Sequence, residues 1–170
     1  NVLGTQCLLD AAKRFKLPKF VQISTDEVYG SAPAGGSFTE ETILVPRSPY
    51  AASKASAAHF VSSYANTYGV PAVVLRCTNN YGPYQFPEKL IPLMIANARE
   101  GKSLPIYGDG MQERDWLFVD DYCSAIGLAL EKAAPGAIYN VSAGAPQPNL
   151  KIVRTILKHV IRRIRQNWPK

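Results

Sequence analysis

A tyrosine and a lysine stand four residues apart, Tyr50 and Lys54, in a segment whose pattern predicts a helix. Residues at this spacing lie on one helix face, one turn apart. An ammonium group beside a phenol favours the phenolate, so it lowers the tyrosine pKa from its usual value of about 10. A tyrosine tuned in this way is a general base for an alcohol proton. The pair therefore predicts redox and acid–base chemistry on a hydroxyl group.

Two neighbouring carboxyl groups follow a predicted strand, in the run Ser24-Thr25-Asp26-Glu27. Adjacent like charges raise the pKa of one member of such a pair, so one carboxyl group can be protonated while the other is ionised. An elimination needs an acid and a base at once, and this pair supplies both. The sequence therefore predicts further proton transfers beside the tyrosine.

The composition predicts one globular domain with a hydrophobic core, because the chain has 170 residues of which 46% are hydrophobic. No apolar run has membrane-spanning length, and no signal peptide opens the chain. Its three cysteines, Cys7, Cys77 and Cys123, have neither zinc-type spacing nor the even number typical of a disulfide framework. We therefore expect a cytoplasmic protein without a metal site.

The net charge of +6 is concentrated at one end of the chain. Residues 151–170 hold seven basic residues and no acidic one, which leaves 12 basic and 13 acidic residues in the first 150. Because only this tail is basic, we expect neither a nucleic-acid nor a membrane partner. An apolar stripe on the last helix, which includes Ile152, Ile156 and Ile164, is interpreted as core-facing.

Short apolar runs alternate with amphipathic segments along the chain, which predicts an α/β fold with a Rossmann-like, doubly wound parallel sheet and helices on both faces. The predicted strands are 19–24, 72–76, 104–107 and 137–141, and the predicted helices are 1–15, 49–68, 87–100, 120–132 with Asp120 as N-cap, and one from Asn149. Ligands bind at the carboxyl ends of such strands. We therefore expect residues 25–27 and 77–80 to meet the Tyr50 helix around one crevice.

A dinucleotide-binding domain also needs a Gly-rich turn between its first strand and helix. The pairs Gly35-Gly36 and Gly108-Asp109-Gly110 lie in loops of the wrong context and are interpreted as ordinary turns. The chain also begins inside a helical pattern without methionine. We therefore expect an internal fragment of a partial Rossmann fold, without its Gly-rich βαβ unit, that alone does not bind the dinucleotide.

Five runs carry a family resemblance from Asn1 to about Leu157. They are ISTDEVYG (residues 23–30), SPYAASK (48–54), RCTNNYGPYQFPEKLIP (76–92), LPIYGDG (104–110) and RDWLFVD (114–120). The chain resembles the extended short-chain dehydrogenase/reductases that act on nucleotide sugars and, among them, the dTDP-glucose 4,6-dehydratases. The Tyr-x-x-x-Lys spacing is typical of the whole superfamily. The Thr-Asp-Glu triplet is more specific, because epimerases of this fold usually carry small or hydroxyl residues at the two carboxyl positions.

The resemblance implies an NAD-dependent enzyme in which Tyr50 takes the proton of the sugar 4-hydroxyl. Thr25 would bind that hydroxyl, Glu27 would remove the proton on carbon 5, and Asp26 would protonate the leaving 6-hydroxyl. The same resemblance assigns cofactor contacts to Ser24, Tyr50, Lys54 and Asn80. It assigns substrate contacts to Thr25, Asn79, Lys89, Leu90, Pro105, Tyr107, Arg114 and Asn149. It also implies a homodimer formed through the first two helices.

These roles predict a functional division of the chain. Residues 1–85 would form the rest of the NAD-binding domain with the active site, residues 86–157 a substrate-binding segment with a returning strand, and residues 158–170 a basic tail of unknown role. Two alternatives stay open on the sequence. One is a UDP-sugar 4,6-dehydratase, decarboxylase or epimerase of the same fold. The other is a non-catalytic fragment that acts only through helix-mediated association.

Overall fold

A computed structural model describes residues 1–32 and 36–166, without the side chains of residues 163–166. Gly35, residues 167–170 of the basic tail and the side chains of Arg163, Ile164 and Arg165 therefore lie outside the described part. The helices are α1 (Val2–Arg14), α2 (Pro49–Tyr68), α3 (Leu90–Arg99), α4 (Val119–Lys132) and α5 (Asn149–Gln166). The strands are β1 (Phe20–Thr25), β2 (Ala72–Cys77), β3 (Asn79–Tyr81), β4 (Glu113–Arg114), β5 (Trp116–Phe118), β6 (Ile138–Val141) and β7 (Gln147–Pro148).

The chain forms two compact units, each built from two separate stretches of sequence. Unit 1 contains Asn1–Thr78 and Asp120–Ser142, and unit 2 contains Asn79–Val119 and the residues from Ala143 on. The division of the chain into residues 1–85, 86–157 and 158–170 is based on functional roles and not on packing, and it stays a prediction. None of the helices in the described stretches is long and apolar enough to span a membrane.

A parallel sheet in the order β1-β2-β6 forms the centre of unit 1. In its register Thr25 pairs with Cys77, and Cys77 pairs with Val141, so the carboxyl ends of the three strands lie side by side. Every residue of β2 is buried, as expected for a parallel strand covered on both faces. The predicted α/β class with a parallel sheet is confirmed.

Helices cover both faces of this sheet. Leu9 of α1 and Val61 of α2 pack against Ala72 and Val74 on one face. Because side chains alternate along a strand, Cys77 points to the opposite face, where it contacts Tyr122 of α4. Helices α1 and α2 therefore form one layer of the hydrophobic core and also part of the protein surface.

Helix α2 has strong local signals at both ends, and its predicted bounds are confirmed. The Ser48 side chain accepts a hydrogen bond from the backbone N–H of Ala51 at 3.1 Å, and Pro49 occupies the first helical position. Gly69 ends the helix in the left-handed conformation with φ +66°. The helix therefore presents Tyr50 in its first turn, beside the carboxyl ends of the strands.

Unit 2 differs most from the sequence prediction. The predicted strand 104–107 is wrong, because these residues are irregular, while four short strands were missed. In the structure β3 pairs with β5 in parallel and β4 pairs with β7 in antiparallel orientation. Helix α3 begins at Leu90 rather than Pro87, because the preceding residues form a turn closed by a bond from Lys89 N–H to the Phe86 carbonyl. Helix α4 begins at Val119, directly after β5, so Asp120 lies in its first turn and is not the N-cap.

Candidate active site

The end of β1 turns sharply at two carboxyl residues, of which Glu27 is exposed and Asp26 half-buried. Ser24 and Thr25 are buried, and a 3₁₀ turn, Asp26–Tyr29, follows them. The Thr25 hydroxyl accepts a bond from the Glu27 N–H at 3.3 Å and lies 3.3 Å from Asp26 Oδ1, to which it donates. This N-cap fixes the start of the turn, so the strand end and the two carboxyl residues form one unit.

Gly30 lets the chain leave this turn without a collision. It has φ +85°, and a Cβ atom at this position would stand 2.5 Å from the Val45 carbonyl oxygen. The backbone at Val45 also contacts the turn, because its N–H donates to the Val28 carbonyl at 3.0 Å. A side chain at residue 30 would push the backbone at Val45 away, so glycine is required by both conformation and space.

Lys54 connects the tyrosine helix to the strand that carries the carboxyl residues. Its Nζ donates to the Ile23 carbonyl of β1 at 3.0 Å. Tyr50 stands one turn earlier on α2 and is about half exposed. The predicted group of Thr25, Asp26, Glu27, Tyr50 and Lys54 thus comes from adjoining elements of unit 1.

The structure reverses the expected direction of the Tyr50 pKa. Partial burial of the phenol raises its pKa, and electrostatic interactions with Glu27, Cys77 and Asp26 raise it further. The prediction that this pKa is lowered is therefore wrong for the described chain, because burial of the phenol and the neighbouring carboxyl groups determine the direction of the shift. The same result indicates that both carboxyl groups act electrostatically on the phenol, which requires them to lie near it.

Ser24, which precedes Thr25 at the end of β1, contributes a buried polar atom to the candidate site. Its Oγ is buried and has no hydrogen-bond partner among the described residues. Its carbonyl accepts a bond from the Cys77 thiol at 3.4 Å. A buried hydroxyl left without a partner costs free energy, so this atom suits a bound polar molecule at the strand end. Of the predicted cofactor contacts, Ser24, Tyr50 and Lys54 belong to unit 1, while Asn80 lies in β3 of unit 2.

The predicted substrate contacts other than Thr25 all lie in unit 2. Arg114 in β4 pairs with Gln147 of β7, and Asn149 N–H donates to the Gln112 carbonyl at 3.0 Å, so one ladder brings Arg114 and Asn149 together. The Asn149 side-chain oxygen is buried and has no hydrogen-bond partner in the described chain. The other predicted contacts are spread over β3, the start of α3 and the loop before β4: Asn79, Lys89, Leu90, Pro105 and Tyr107.

Sequence reasoning missed one residue of these sites, Asp115, and it did not predict the effect of Cys77 on Tyr50. Asp115 follows Arg114 and accepts bonds from Gly144 N–H at 3.0 Å and Ala145 N–H at 3.4 Å, which holds the returning segment beside β4. Cys77 contributes to the raised pKa of Tyr50. The Arg-Asp-Trp run was the available signal for Asp115, whereas the role of Cys77 depends on strand register, which no local pattern gives.

A Rossmann-like parallel sheet, a Tyr-x-x-x-Lys helix and carboxyl residues at a strand end define a short-chain dehydrogenase/reductase type of protein. The sequence profile of the GDP-mannose 4,6 dehydratase family matches residues 1–168. The chain therefore belongs to that family.

Individual relatives agree with this assignment. A dTDP-glucose 4,6-dehydratase of Xanthomonas campestris pv. campestris (strain B100) is 49% identical over 165 residues, which cover 92% of this chain and 47% of the relative. The crystal structure of the dTDP-glucose 4,6-dehydratase of Bacillus anthracis in complex with NAD is 54% identical, with a TM-score of 0.90 over 92% of this chain and 50% of its own.

An epimerase has a similar fold at lower identity. The UDP-glucuronic acid 4-epimerase of Bacillus cereus, in complex with UDP-glucuronic acid and NAD, is 36% identical, with a TM-score of 0.87 over 92% of this chain and 50% of its own. The chain spans about half the length of the curated relatives it matches.

Proposed function

We propose that the whole protein catalyses the NAD-dependent dehydration of dTDP-glucose to the 4-keto-6-deoxy sugar. The observation that carries the proposal is the position of Glu27 and Asp26, whose charges both act on the Tyr50 phenol. Oxidation at carbon 4 alone needs only the tyrosine. Loss of water across carbons 5 and 6 needs an additional base and acid, and this carboxyl pair supplies them.

The chain's own residues divide the proton transfers among them. Tyr50 removes the proton of the 4-hydroxyl, which Thr25 orients, and the resulting 4-ketone acidifies the proton on carbon 5. Glu27 then takes that proton, and Asp26 protonates the departing 6-hydroxyl, which leaves as water. Lys54 holds Tyr50 and β1 together through the Ile23 carbonyl.

The residues at the end of β1 suit NAD as the cofactor. When bound, NAD would supply a hydride acceptor for oxidation at carbon 4 and would return the hydride to carbon 6 after the loss of water, so it would not be consumed overall. The buried Ser24 hydroxyl, which lacks a partner among the described residues, supports a polar contact to it. Tyr50, Lys54 and Asn80 complete the proposed contacts.

Unit 2 supplies the proposed contacts to the nucleotide sugar. The Arg114 guanidinium suits a diphosphate because its planar group donates two parallel hydrogen bonds. Asn149 stands on the adjoining ladder with a side-chain oxygen that is buried and unpartnered within the described chain. Asn79, Lys89, Leu90, Pro105 and Tyr107 complete the proposed set.

A matched pair of substrates tests the proposal against its nearest alternatives. The whole protein, with NAD, should convert dTDP-glucose to a 4-keto-6-deoxy product, and UDP-glucose should react more slowly. Conversion of UDP-glucose at the higher rate would favour a UDP-sugar enzyme. Inversion at carbon 4 without loss of water would indicate an epimerase and would contradict the role given to the carboxyl pair. No oxidation of either sugar would favour the association-only alternative.

The exposed face of α1 supports a homodimer. Leu3 and Leu8 are large apolar side chains on this helix, Phe15 is its C-cap, and all three are exposed. An apolar face of this kind is unfavourable in water and suits a symmetric contact with a second copy. We also propose a cytoplasmic location, which the free state of all three cysteines supports.

Light scattering tests the dimer directly. The whole protein at micromolar concentration should have the mass of two copies, and the double variant Leu3→Glu/Leu8→Glu should shift it to one. The matched control is Leu128→Glu/Leu130→Glu on α4, where the side chains are similarly exposed. A monomeric wild-type protein would refute the proposed dimer.

A further inference from the structure

The 3₁₀ turn that carries Asp26 and Glu27 ends at Tyr29, whose ring is buried with 4% exposure. The Tyr29 hydroxyl donates to Asn140 Oδ1 at 2.7 Å and accepts from Arg76 Nη1 at 2.6 Å. Both partners belong to other strands, since Arg76 lies in β2 and Asn140 in β6. The last residue of the turn is therefore tied to the other two strands of the β1-β2-β6 sheet.

Arg76 is a buried cation, with 5% exposure. Its Nη1 also donates to the Glu40 carbonyl at 3.1 Å, and its guanidinium carbon stands 4.9 Å from the centre of the Tyr29 ring. Removing a guanidinium group from water is costly, and the Tyr29 hydroxyl, the Glu40 carbonyl and the negative charge of the Glu40 carboxylate offset part of that cost. These contacts hold the Arg76 guanidinium beside the Tyr29 ring.

The loop that follows the turn closes around the same group. The rings of Tyr29 and Phe38 stack with centres 4.8 Å apart, and Asn140 Nδ2 donates to the Phe38 carbonyl at 3.4 Å. The Asn140 N–H donates to Glu40 Oε1 at 2.7 Å, and this bond, together with Arg76, holds the Glu40 pKa below its usual value. Asn140 thus connects the turn, the loop and β6.

We infer that Tyr29, Arg76 and Asn140 are positioning residues that set the place of the Asp26 and Glu27 carboxyl groups for the elimination step. The inference rests on the proposed function. The turn has only four residues, and Thr25 caps its start. Its end is held by the Tyr29 hydroxyl. Loss of that hydroxyl leaves the end held by the packing of the Tyr29 ring and Val28 and by the bond from the Val45 N–H to the Val28 carbonyl, none of which ties it to β2 or β6.

Tyr29→Phe tests the inference because it removes the hydroxyl and keeps the stacked ring. In a single turnover of the whole protein with NAD and dTDP-glucose, elimination should slow by about tenfold or more, since a misplacement of about 1 Å can cost about 100-fold. Oxidation at carbon 4 should stay within about twofold, because Tyr50 belongs to α2 and not to the turn. Reduced cofactor should therefore persist longer than in the wild type.

Tyr64→Phe is the matched control. Tyr64 is also buried, with 8% exposure, and its hydroxyl donates to Asp10 Oδ1 at 2.7 Å between α2 and α1. Tyr29→Phe loses two hydrogen bonds, one of them from the buried Arg76, whereas Tyr64→Phe loses the bond to Asp10, so thermal unfolding should show the larger loss of stability for Tyr29→Phe. Only Tyr29→Phe should change the ratio of elimination to oxidation. An equal ratio in the two variants would overturn the inference.

Two further variants keep the outcomes distinct. Should Tyr29→Phe fail to fold, Asn140→Ala removes the acceptor of the same hydroxyl and should give the same shift in ratio. Glu27→Gln tests the proposed function itself. If Glu27→Gln leaves elimination intact, the proposed function fails. If Glu27→Gln stops elimination and neither Tyr29→Phe nor Asn140→Ala alters the ratio, only the positioning role fails.

Discussion

Tyr50→Phe should abolish oxidation at carbon 4 and leave binding of the sugar nucleotide nearly unchanged. The variant removes only the hydroxyl that, as we propose, takes up the alcohol proton in its deprotonated form. Positioned general bases contribute about 100- to 10,000-fold, so the rate of cofactor reduction should fall by that factor. The aromatic ring and the N-terminal turn of α2 stay in place, because Ser48 and Pro49 determine the start of that helix.

Tyr68→Phe is the appropriate control for this prediction. Tyr68 lies on the same helix and is 52% exposed, against 49% for Tyr50. Its ring faces the Lys13 ammonium at 3.5 Å, a contact that phenylalanine retains. Calorimetry with dTDP-glucose should give similar affinities for both variants, and stopped-flow absorbance should show a loss of cofactor reduction only at residue 50. Turnover of Tyr50→Phe within a few-fold of wild type would refute the assignment.

Glu27→Gln and Asp26→Asn should block elimination far more than oxidation. Each variant keeps the shape of the side chain and removes its acid or base function, so the oxidised sugar forms and cannot lose water. Single-turnover absorbance should show reduced cofactor that accumulates and decays about 100-fold or more slowly than in the wild type. Glu41→Gln, an exposed carboxyl in the following loop, should behave as wild type. Normal release of the 4-keto-6-deoxy sugar by both variants would show that the carboxyl residues have other roles.

The Glu27→Gln variant should carry a second signature in its pH profile. The Glu27 carboxylate raises the Tyr50 pKa, because a neighbouring negative charge disfavours the phenolate. Removing that charge lowers the Tyr50 pKa, so the pH profile of carbon-4 oxidation should move to lower pH. Because the base must be deprotonated, the oxidation rate falls as the pH falls. The variant should keep its rate down to a lower pH than the wild type. A shift of the pH profile to higher pH would show that the charge of Glu27 does not raise the Tyr50 pKa.

The elements around Tyr50 could be predicted because their signals are local. Ser48, Pro49 and Gly69 punctuate α2, and β2 is an apolar run bounded by proline and polar residues. The short strands of unit 2 could not be predicted in this way. β3 and β5 have three residues each, and their pairing depends on segments far apart in the chain rather than on a periodic pattern.

The electrostatics of the site were also beyond local reasoning. The spacing of Tyr50 and Lys54 is visible in the sequence, but the bond from Lys54 to the Ile23 carbonyl depends on how α2 packs against β1. The ties from Tyr29 to Arg76 and Asn140 join residues from three strand regions. Such contacts depend on the order and register of the strands, whereas the sequence pattern predicts only the fold class.

Unit 1 is built from two stretches of sequence that are separated by residues 79–119, and this separation affects how the unit folds during synthesis. β2 ends at Cys77, whereas β6, its neighbour in the sheet, begins at Ile138. At about 5–20 residues per second, the apolar edge of β2 waits roughly 3–12 s on the ribosome before its partner is made. During that interval the edge is a template for pairing with another nascent chain. Slow translation or a stop between these strands should therefore produce aggregation rather than a smaller folded unit.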